Sequence, residues 1–340
     1  MKFYSDEDAE LSLLEGKTVG FVGYGNQGRS QALNLRDSGV SVIVGNPCDS
    51  YADQAKQDGM EVVTIAEAVR RSDIIPILIP DELQPDVYAK EIAPNLRPGQ
   101  ALDFAHGYNI HFGLIRPPAE VDVILVAPRM IGVQVRRSFE LGGGVPAFVG
   151  VWQDATKTAW DTALAFAKGI GATRAGVIPS TFQEETELDL FSEQALWPVI
   201  LGSIVASFEL LVKLGYSPEA VVMELYGSGE GAEVFREMVH TGFFRQMKFH
   251  SQTSQYGMLT SFGKLSSDDL KQNFQAALDR IRSGTFAREF LAEQRQGYPV
   301  FRRLREQAIQ HPLNDAEDRL RPVLESTFKA GGHGGAASAS

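Results

Sequence analysis

The sequence predicts an α/β chain: an N-terminal doubly wound parallel sheet, followed by an all-helical region. Three observations predict it. Short apolar runs alternate with amphipathic stretches up to Pro179, the alternation stops there, and the first run ends in a glycine-rich turn that opens a helix.

The runs TVGFVG, VSVIVG, DIIPILI, ALDFA, DVILVAP and PAFVGV are the candidate strands. Their near-continuous apolar character suits strands covered on both faces. Helical patterns over Asn26–Asp37 and Tyr51–Asp58 separate the first of them. Pro76 falls inside the third run and cannot donate to a ladder, so an irregularity is expected there. From Ser180 to about Glu325 the pattern is of long helices. Thr181 followed by Glu184 has the form of a capping box at the first of these. The boundary is therefore set between Gly176 and Thr181, giving domains 1–180 and 181–328, and no internal repeat is evident. The Gly/Ala/Ser-rich tail, 329–340, is expected to be disordered.

Composition limits the function classes. The 340 residues are 44% hydrophobic and 22% charged, with a net charge of −11 and a pI near 5.1. An acidic chain without a basic cluster argues against nucleic-acid partners. One cysteine, Cys48, excludes an intrachain disulfide and a multi-cysteine zinc site, and fits a reducing cytoplasm. The acidic N-terminus lacks an apolar signal core, and no run reads as long enough for a membrane span. A cytoplasmic protein with no membrane partner is the expectation.

The segment TVGFVGYGNQGRS places Gly23, Gly25 and Gly28 as G-x-G-x-x-G between a strand and a helix. In that context the array is a Rossmann-type dinucleotide fingerprint. Gly23 would make the tight turn, Gly25 would admit a pyrophosphate to the backbone, and Gly28 would let helix approach strand. The intervening Tyr24, Asn26 and Gln27 join the candidate cofactor-binding set. Asn46 and Asp49 follow the second strand, and no Arg or Lys lies between Arg36 and Lys56. Asp49 could accept from a ribose 2′-OH and would repel a 2′-phosphate, so NAD(H) is expected over NADP(H). Pro80 and His106, at the ends of the third and fourth runs, complete the cofactor set.

TFQEETELDLFSEQALWPV carries the metal expectation. Asp189 and Glu193 stand at i and i+4 on one helix face, with Glu185 a step earlier on the same stripe. The surrounding Leu188, Leu190, Phe191, Leu196 and Trp197 imply a helix buried or at an interface. Carboxylates removed from water call for a cation, and two such oxygen ligands suit Mg2+. A solvated acidic face is the alternative reading of the same spacing.

At this point several motifs coincide. GYGNQG, PDELQPDVY, FAHGYNIHFG, KGIGATRAGV, EETELDLFSEQ and SGTFAREF occur in compatible order from about Met1 to Pro299. Together they resemble the ketol-acid reductoisomerase family. The resemblance implies a Rossmann domain, then an all-helical, knotted domain that interlocks with a second copy in a homodimer or higher homo-oligomer. It implies magnesium and a nicotinamide acting on a small hydroxy or keto acid. It assigns Asp189 and Glu193 to the first metal pair, with Glu193 also counted as catalytic. Glu230 becomes a further metal ligand, His106 the active-site histidine and Ser251 a contact of the substrate carboxylate.

The departures fall where the chemistry should be. VAPRMIG puts Arg129 at the position of the family's active-site lysine, and arginine is no acid or base near neutral pH. MELYGSGEGAE puts Tyr226 at the first glutamate of the second metal pair, and Glu224 substitutes only if the backbone shifts. SQYG carries Gln255 for a glutamate. Trp197 and Pro198 add bulk and an expected helix kink. With Trp197 and Tyr226 as substrate contacts, the pattern is most similar to the noncanonical, cyclopropanol-forming homologue of the malleicyprol pathway. Standard acetohydroxy-acid isomeroreduction and a silent nicotinamide-binding paralogue are the alternatives.

Overall fold

The computed structural model describes residues 2–265 and 268–330. It divides into two compact units, Met1–Asp189 and a second beginning at Leu190, described here in turn.

The first unit is an eight-stranded sheet: β1 Thr18–Val22, β2 Ser41–Gly45, β3 Glu61–Val63, β4 Ile74–Pro76, β5 Ala101–Phe104, β6 Asp122–Pro128, β7 Ala147–Gln153 and β8 Val177–Pro179. The spatial order is β3-β2-β1-β4-β5-β6-β7-β8. The chain reverses between β1 and β4, the switch point at which such sheets bind ligands. Between the strands run α1 Asn26–Asp37, α2 Ser50–Gln57, α3 Ile65–Arg71, α4 Gln84–Val87, α5 Tyr108–His111, α6 Gly132–Glu140 and α7 Ala159–Gly169. Val19, Phe21, Leu35 and Phe166 fill one face of the sheet. Val22, Ile75, Leu102, Phe104 and Leu125 fill the other. Both faces are dry, which is why the strands read as continuous apolar runs.

The sheet is parallel in the main, as expected, with its last two strands reversed: β7 runs antiparallel to β6 and β8 then runs parallel to β7. The connection through α6 returns to the end of the sheet that it left. Arg129 donates its backbone N–H to Pro146 O at 2.8 Å and closes that loop. The irregularity expected at Pro76 is present, and the third apolar run makes a strand of only three residues. The β4 ladder stops at Pro76, opposite Asp103, and Ile77 continues only as an isolated bridge to Val22. At the far edge, Tyr4 pairs with Val177 through N–H···O bonds of 3.0 and 2.8 Å.

Helix α8, Phe182–Phe191, follows β8. Thr181 Oγ1 accepts from Glu184 N at 3.0 Å, while the Glu184 carboxylate accepts from Ser180 Oγ at 2.8 Å. The cap forms, but the reciprocal half of the box does not. The helix passes through a π-turn, Ser192–Leu196, into α9, Trp197–Lys213. Pro198 has no N–H to offer Gln194 O. The turn relaxes to i→i+5 bonding, with Trp197 N–H reaching Ser192 O. That is the form the expected kink takes.

The second unit continues as α10 Pro218–Val222, α11 Glu230–Thr241, α12 Gln252–Leu265, α13 Asp268–Arg282, α14 Thr285–Arg295, α15 Pro299–Ile309 and α16 Pro312–Ala330. Among the described residues it contains no strand. Phe208, Val221, Val222 and Ala316 form a small core. The expected tail falls outside the described residues from 331 onward, while Lys329 and Ala330 lie within α16. The absence of a span-length apolar segment also needs correction. The helical stretch Phe182–Lys213 is long and apolar enough to cross a membrane by length and composition. Leu188, Leu196, Trp197, Leu201 and Leu210 along it are exposed.

Candidate functional site

The glycine loop shows three distinct steric demands. Gly23 has φ +98°, and a Cβ there would stand 2.6 Å from Ile79 Cγ2. A Cβ on Gly28 would stand 2.4 Å from Gly23 O. Gly25 has open space within 4 Å, so the backbone at the N-terminus of α1 is bare. Bare N–H groups at a helix start are suited to an anion such as a pyrophosphate.

The side chains between the glycines hold the cradle. Tyr24 is buried and donates from its hydroxyl to Asp58 Oδ2 at 3.0 Å, the oxygen that also accepts from Arg29 Nε at 2.6 Å. Burial, then the bond to Asp58, raises the Tyr24 pKa. Asn26 Oδ1 accepts from Val133 N at 3.1 Å, and Gln27 Nε2 donates to Met130 O at 2.8 Å. The loop therefore grips the segment Met130–Val133. At the end of β2, Asp49 caps α2, its Oδ1 accepting from Tyr51 N, Ala52 N and Asn46 Nδ2 at 2.9, 3.0 and 2.8 Å. Pro80 is exposed at the mouth of the same strand ends.

The motifs PDELQPDVY and FAHGYNIHFG lock together. Asn109 Nδ2 donates to Asp81 O and Gln84 Oε1, both at 2.9 Å. Gln84 in turn donates to Ile79 O at 3.0 Å and Asp81 Oδ1 at 3.2 Å. Gly107 admits α8, since a Cβ there would lie 2.6 Å from Phe182 O and from Thr186 Oγ1. This close approach brings Glu185, fully buried, to Gly107 N at 2.8 Å.

Around Glu185 the charged groups converge. His106 Nδ1 lies 3.0 Å from Glu185 Oε2 and 3.8 Å from an Asp189 oxygen, and its Nε2 lies 4.0 Å from Asp81. Arg129 Nη1 donates to Glu185 Oε1 at 2.9 Å, and Nη2 donates to Asp189 Oδ1. The Phe148 ring sits 5.1 Å beneath the guanidinium. Burial opposes charge on His106, but the bond to Glu185 and the fields of Glu185, Asp81 and Asp189 outweigh it and raise its pKa to about 9. Burial raises Asp81 to about 6, against the pull of His106. The imidazole is thus held among three carboxylates that favour its protonated form. Ligand atoms of His106, Glu185 and Asp189 lie within 4.8 Å of one another. Carboxylate oxygens are the ligands a hard divalent cation takes, but Arg129 already bonds to both Glu185 and Asp189.

The sequence-predicted residues divide accordingly. His106, Arg129 and Asp189 come together. Glu193 is exposed in the π-turn, where the four-residue step from Asp189 leaves α-helical register. In the second unit, Tyr226 donates its hydroxyl to Glu317, and burial followed by that bond raises its pKa. Ser251 caps α12, its Oγ accepting from Ser254 N at 3.2 Å. Glu230 opens α11 and is exposed, as is Glu224 in the π-turn Met223–Gly227. Trp197 is 47% exposed. Sequence reasoning missed Asp81 as a partner of His106, and saw Glu185 only as part of a stripe. Its position i−4 to Asp189 was the available signal.

Residues 13–176 match the family model described as acetohydroxy acid isomeroreductase, NADPH-binding domain. Residues 182–326 match that of ketol-acid reductoisomerase, C-terminal domain. A ketol-acid reductoisomerase (NADP(+)) of Pyrobaculum aerophilum is 44% identical over 329 residues, 95% of this chain and 98% of that protein. A Saccharolobus solfataricus protein, provisionally named as a ketol-acid reductoisomerase, is 47% identical over 321 residues, 93% of this chain and 96% of its own length. The solved structure of an NADH-preferring ketol-acid reductoisomerase from an uncultured archean aligns with TM-score 0.91 at 36% identity, covering 95% of this chain and 99% of that one. A dinucleotide-binding sheet, a helical second unit and near-complete relatives lead to one assignment: this chain belongs to the ketol-acid reductoisomerase family of nicotinamide-dependent oxidoreductase–isomerases.

Proposed function

We propose that this chain turns the family's apparatus on a sulfonium-bearing dihydroxy acid and closes it to a cyclopropanol. The observation that carries the reading is Arg129 bonded to both Glu185 and Asp189, where the family resemblance expects a lysine. A bound nicotinamide would take one hydride from a carbinol and later return it, while Mg2+ would polarise the substrate oxygens. The balance is complete without an outside redox partner: one C–H is lost as a proton, a C–C bond forms, and the C–S bond breaks with its electron pair leaving on a neutral sulfide.

The chain's residues have defined tasks in this scheme. His106, held by Glu185, would accept the proton of the carbinol oxygen as hydride leaves and return it when hydride comes back. Arg129 keeps Glu185 and Asp189 aimed and cannot exchange protons itself. Tyr226 and Trp197 offer aromatic faces to a sulfonium. Ser251 remains the candidate contact for the substrate carboxylate. Asp189, with Glu193 and Glu230 from the resemblance, would hold the metal. Asp49 and the absence of Arg or Lys between residues 36 and 56 support NADH over NADPH. A second copy of the chain, as the resemblance implies, suits the exposed apolar side of α9.

Identity of 44–47% to relatives carrying the ketol-acid reductoisomerase name favours a second reading, ordinary rearrangement and reduction of 2-acetolactate. Incubation with each acid, Mg2+ and either nicotinamide separates the two. Release of a volatile sulfide with a cyclopropanol product is expected. Turnover of 2-acetolactate with no sulfide from the sulfonium acid would decide for the ordinary reaction.

A further inference from the structure

The carboxylate cluster already contains a permanent cation of the chain's own. Arg129 leaves the end of β6 next to Pro128, anchored by its backbone bond to Pro146. The glycine-loop side chain of Gln27 fixes the neighbouring Met130. From there the guanidinium spans two separate carboxylates, one N–H to Glu185 Oε1 and one to Asp189 Oδ1. Glu185 is thereby filled on both oxygens, since Oε2 faces Gly107 N and His106. We propose that Arg129 takes a metal ion's position between Glu185 and Asp189, so that a divalent cation binds this cluster weakly and in competition with the guanidinium.

The physical reason lies in the shape of the group. A lysine ammonium is a point charge on a flexible stem and can stand aside for a metal. A guanidinium is a rigid fork whose parallel donors match carboxylate oxygens, and it stays charged at every working pH. Stacked over Phe148, it has little freedom to withdraw. Any divalent ion on the same oxygens would sit a few ångströms from a fixed positive charge. The second unit has independently lost negative charge at two positions, where Tyr226 and Gln255 stand in place of carboxylates expected from the family pattern. The inference rests on Asp189 as a metal ligand in the reading above, but not on the substrate.

Titration of the full chain with Mn2+, followed by the electron paramagnetic resonance signal of the free ion, tests it without any turnover. Wild type is compared with Arg129→Gln, which removes the charge, and Arg129→Lys, which keeps the charge but not the fork. Wild type should bind no more than one ion per chain. Arg129→Gln should bind on the order of tenfold to a hundredfold more tightly, with Arg129→Lys between them. Circular dichroism identifies the folded variants, and either one suffices. Two ions per wild-type chain, or equal affinity in wild type and a folded variant, would overturn the proposal. Failure of the sulfonium assay would leave this result unchanged.

Discussion

A single added methyl group separates cofactor chemistry from packing in the glycine loop. At Gly25 the methyl meets open space and φ is −76°, so Gly25→Ala should fold normally and lose nicotinamide affinity at least tenfold by fluorescence titration. At Gly28 the methyl meets Gly23 O at 2.4 Å, so Gly28→Ala should lower stability by about 2 kcal/mol or more in urea. Similar losses of stability in both would contradict the division of labour. His106 gives a pH signature. Its folded pKa of about 9 lies above the ordinary value of 6.5, so its contribution is full below pH 6.5 and lost as pH rises through 9. Metal-free wild type should lose about 2–3 kcal/mol across that window, and His106→Gln should lack this component. Asp81, raised to about 6 by burial, contributes below its ordinary 3.8 and loses that contribution as pH rises through 6. Asp81→Asn should remove the more acidic loss and, by taking one carboxylate field from His106, move the alkaline one to lower pH.

Elements that carry an apolar run or a helical period were legible, and those without one were not. The Asn26–Asp37 pattern is α1, and six of the eight strands were visible as apolar runs. β3 and β8 have three residues each, too few for a period to register. The direction of β7 was hidden for a different reason: alternation reports order along the chain, whereas the Arg129–Pro146 bond that turns it back is a closure between distant residues. Of the residues singled out in the sequence, His106, Arg129 and Asp189 lie together, but the central place of Glu185 depends on Gly107 admitting α8, which no spacing reveals. Glu193 was placed by helical periodicity, and the π-turn ahead of Pro198 breaks that periodicity at its own position. The cap on α8 is a local feature and gives a local prediction. Thr181→Ala should cost about 1 kcal/mol, measured by urea denaturation, with Glu184→Gln costing less because its carboxylate serves Ser180 instead.

At the scale of the molecule, α9 poses the question of what covers it. Leu201 and Leu210 are 58% and 57% exposed, within the helical stretch Phe182–Lys213 that is long and apolar enough for a bilayer by length and composition. Exposed apolar area of this kind marks an association surface. Light scattering after size exclusion should give at least a dimer without detergent, and Leu201→Glu should shift it toward monomer. A wild-type monomer would remove the second-copy reading. The pairing of Tyr4 with Val177 has a consequence of another kind. It joins the start of the chain to the last strand of the sheet across more than 170 residues, and it shields part of a strand edge that would otherwise be open to another molecule. Because synthesis proceeds from the N-terminus, the earliest residues must wait for almost the whole first unit to leave the ribosome before their own partner exists. The edge is thus sealed last, and the nascent sheet is most vulnerable to wrong pairing until Val177 emerges.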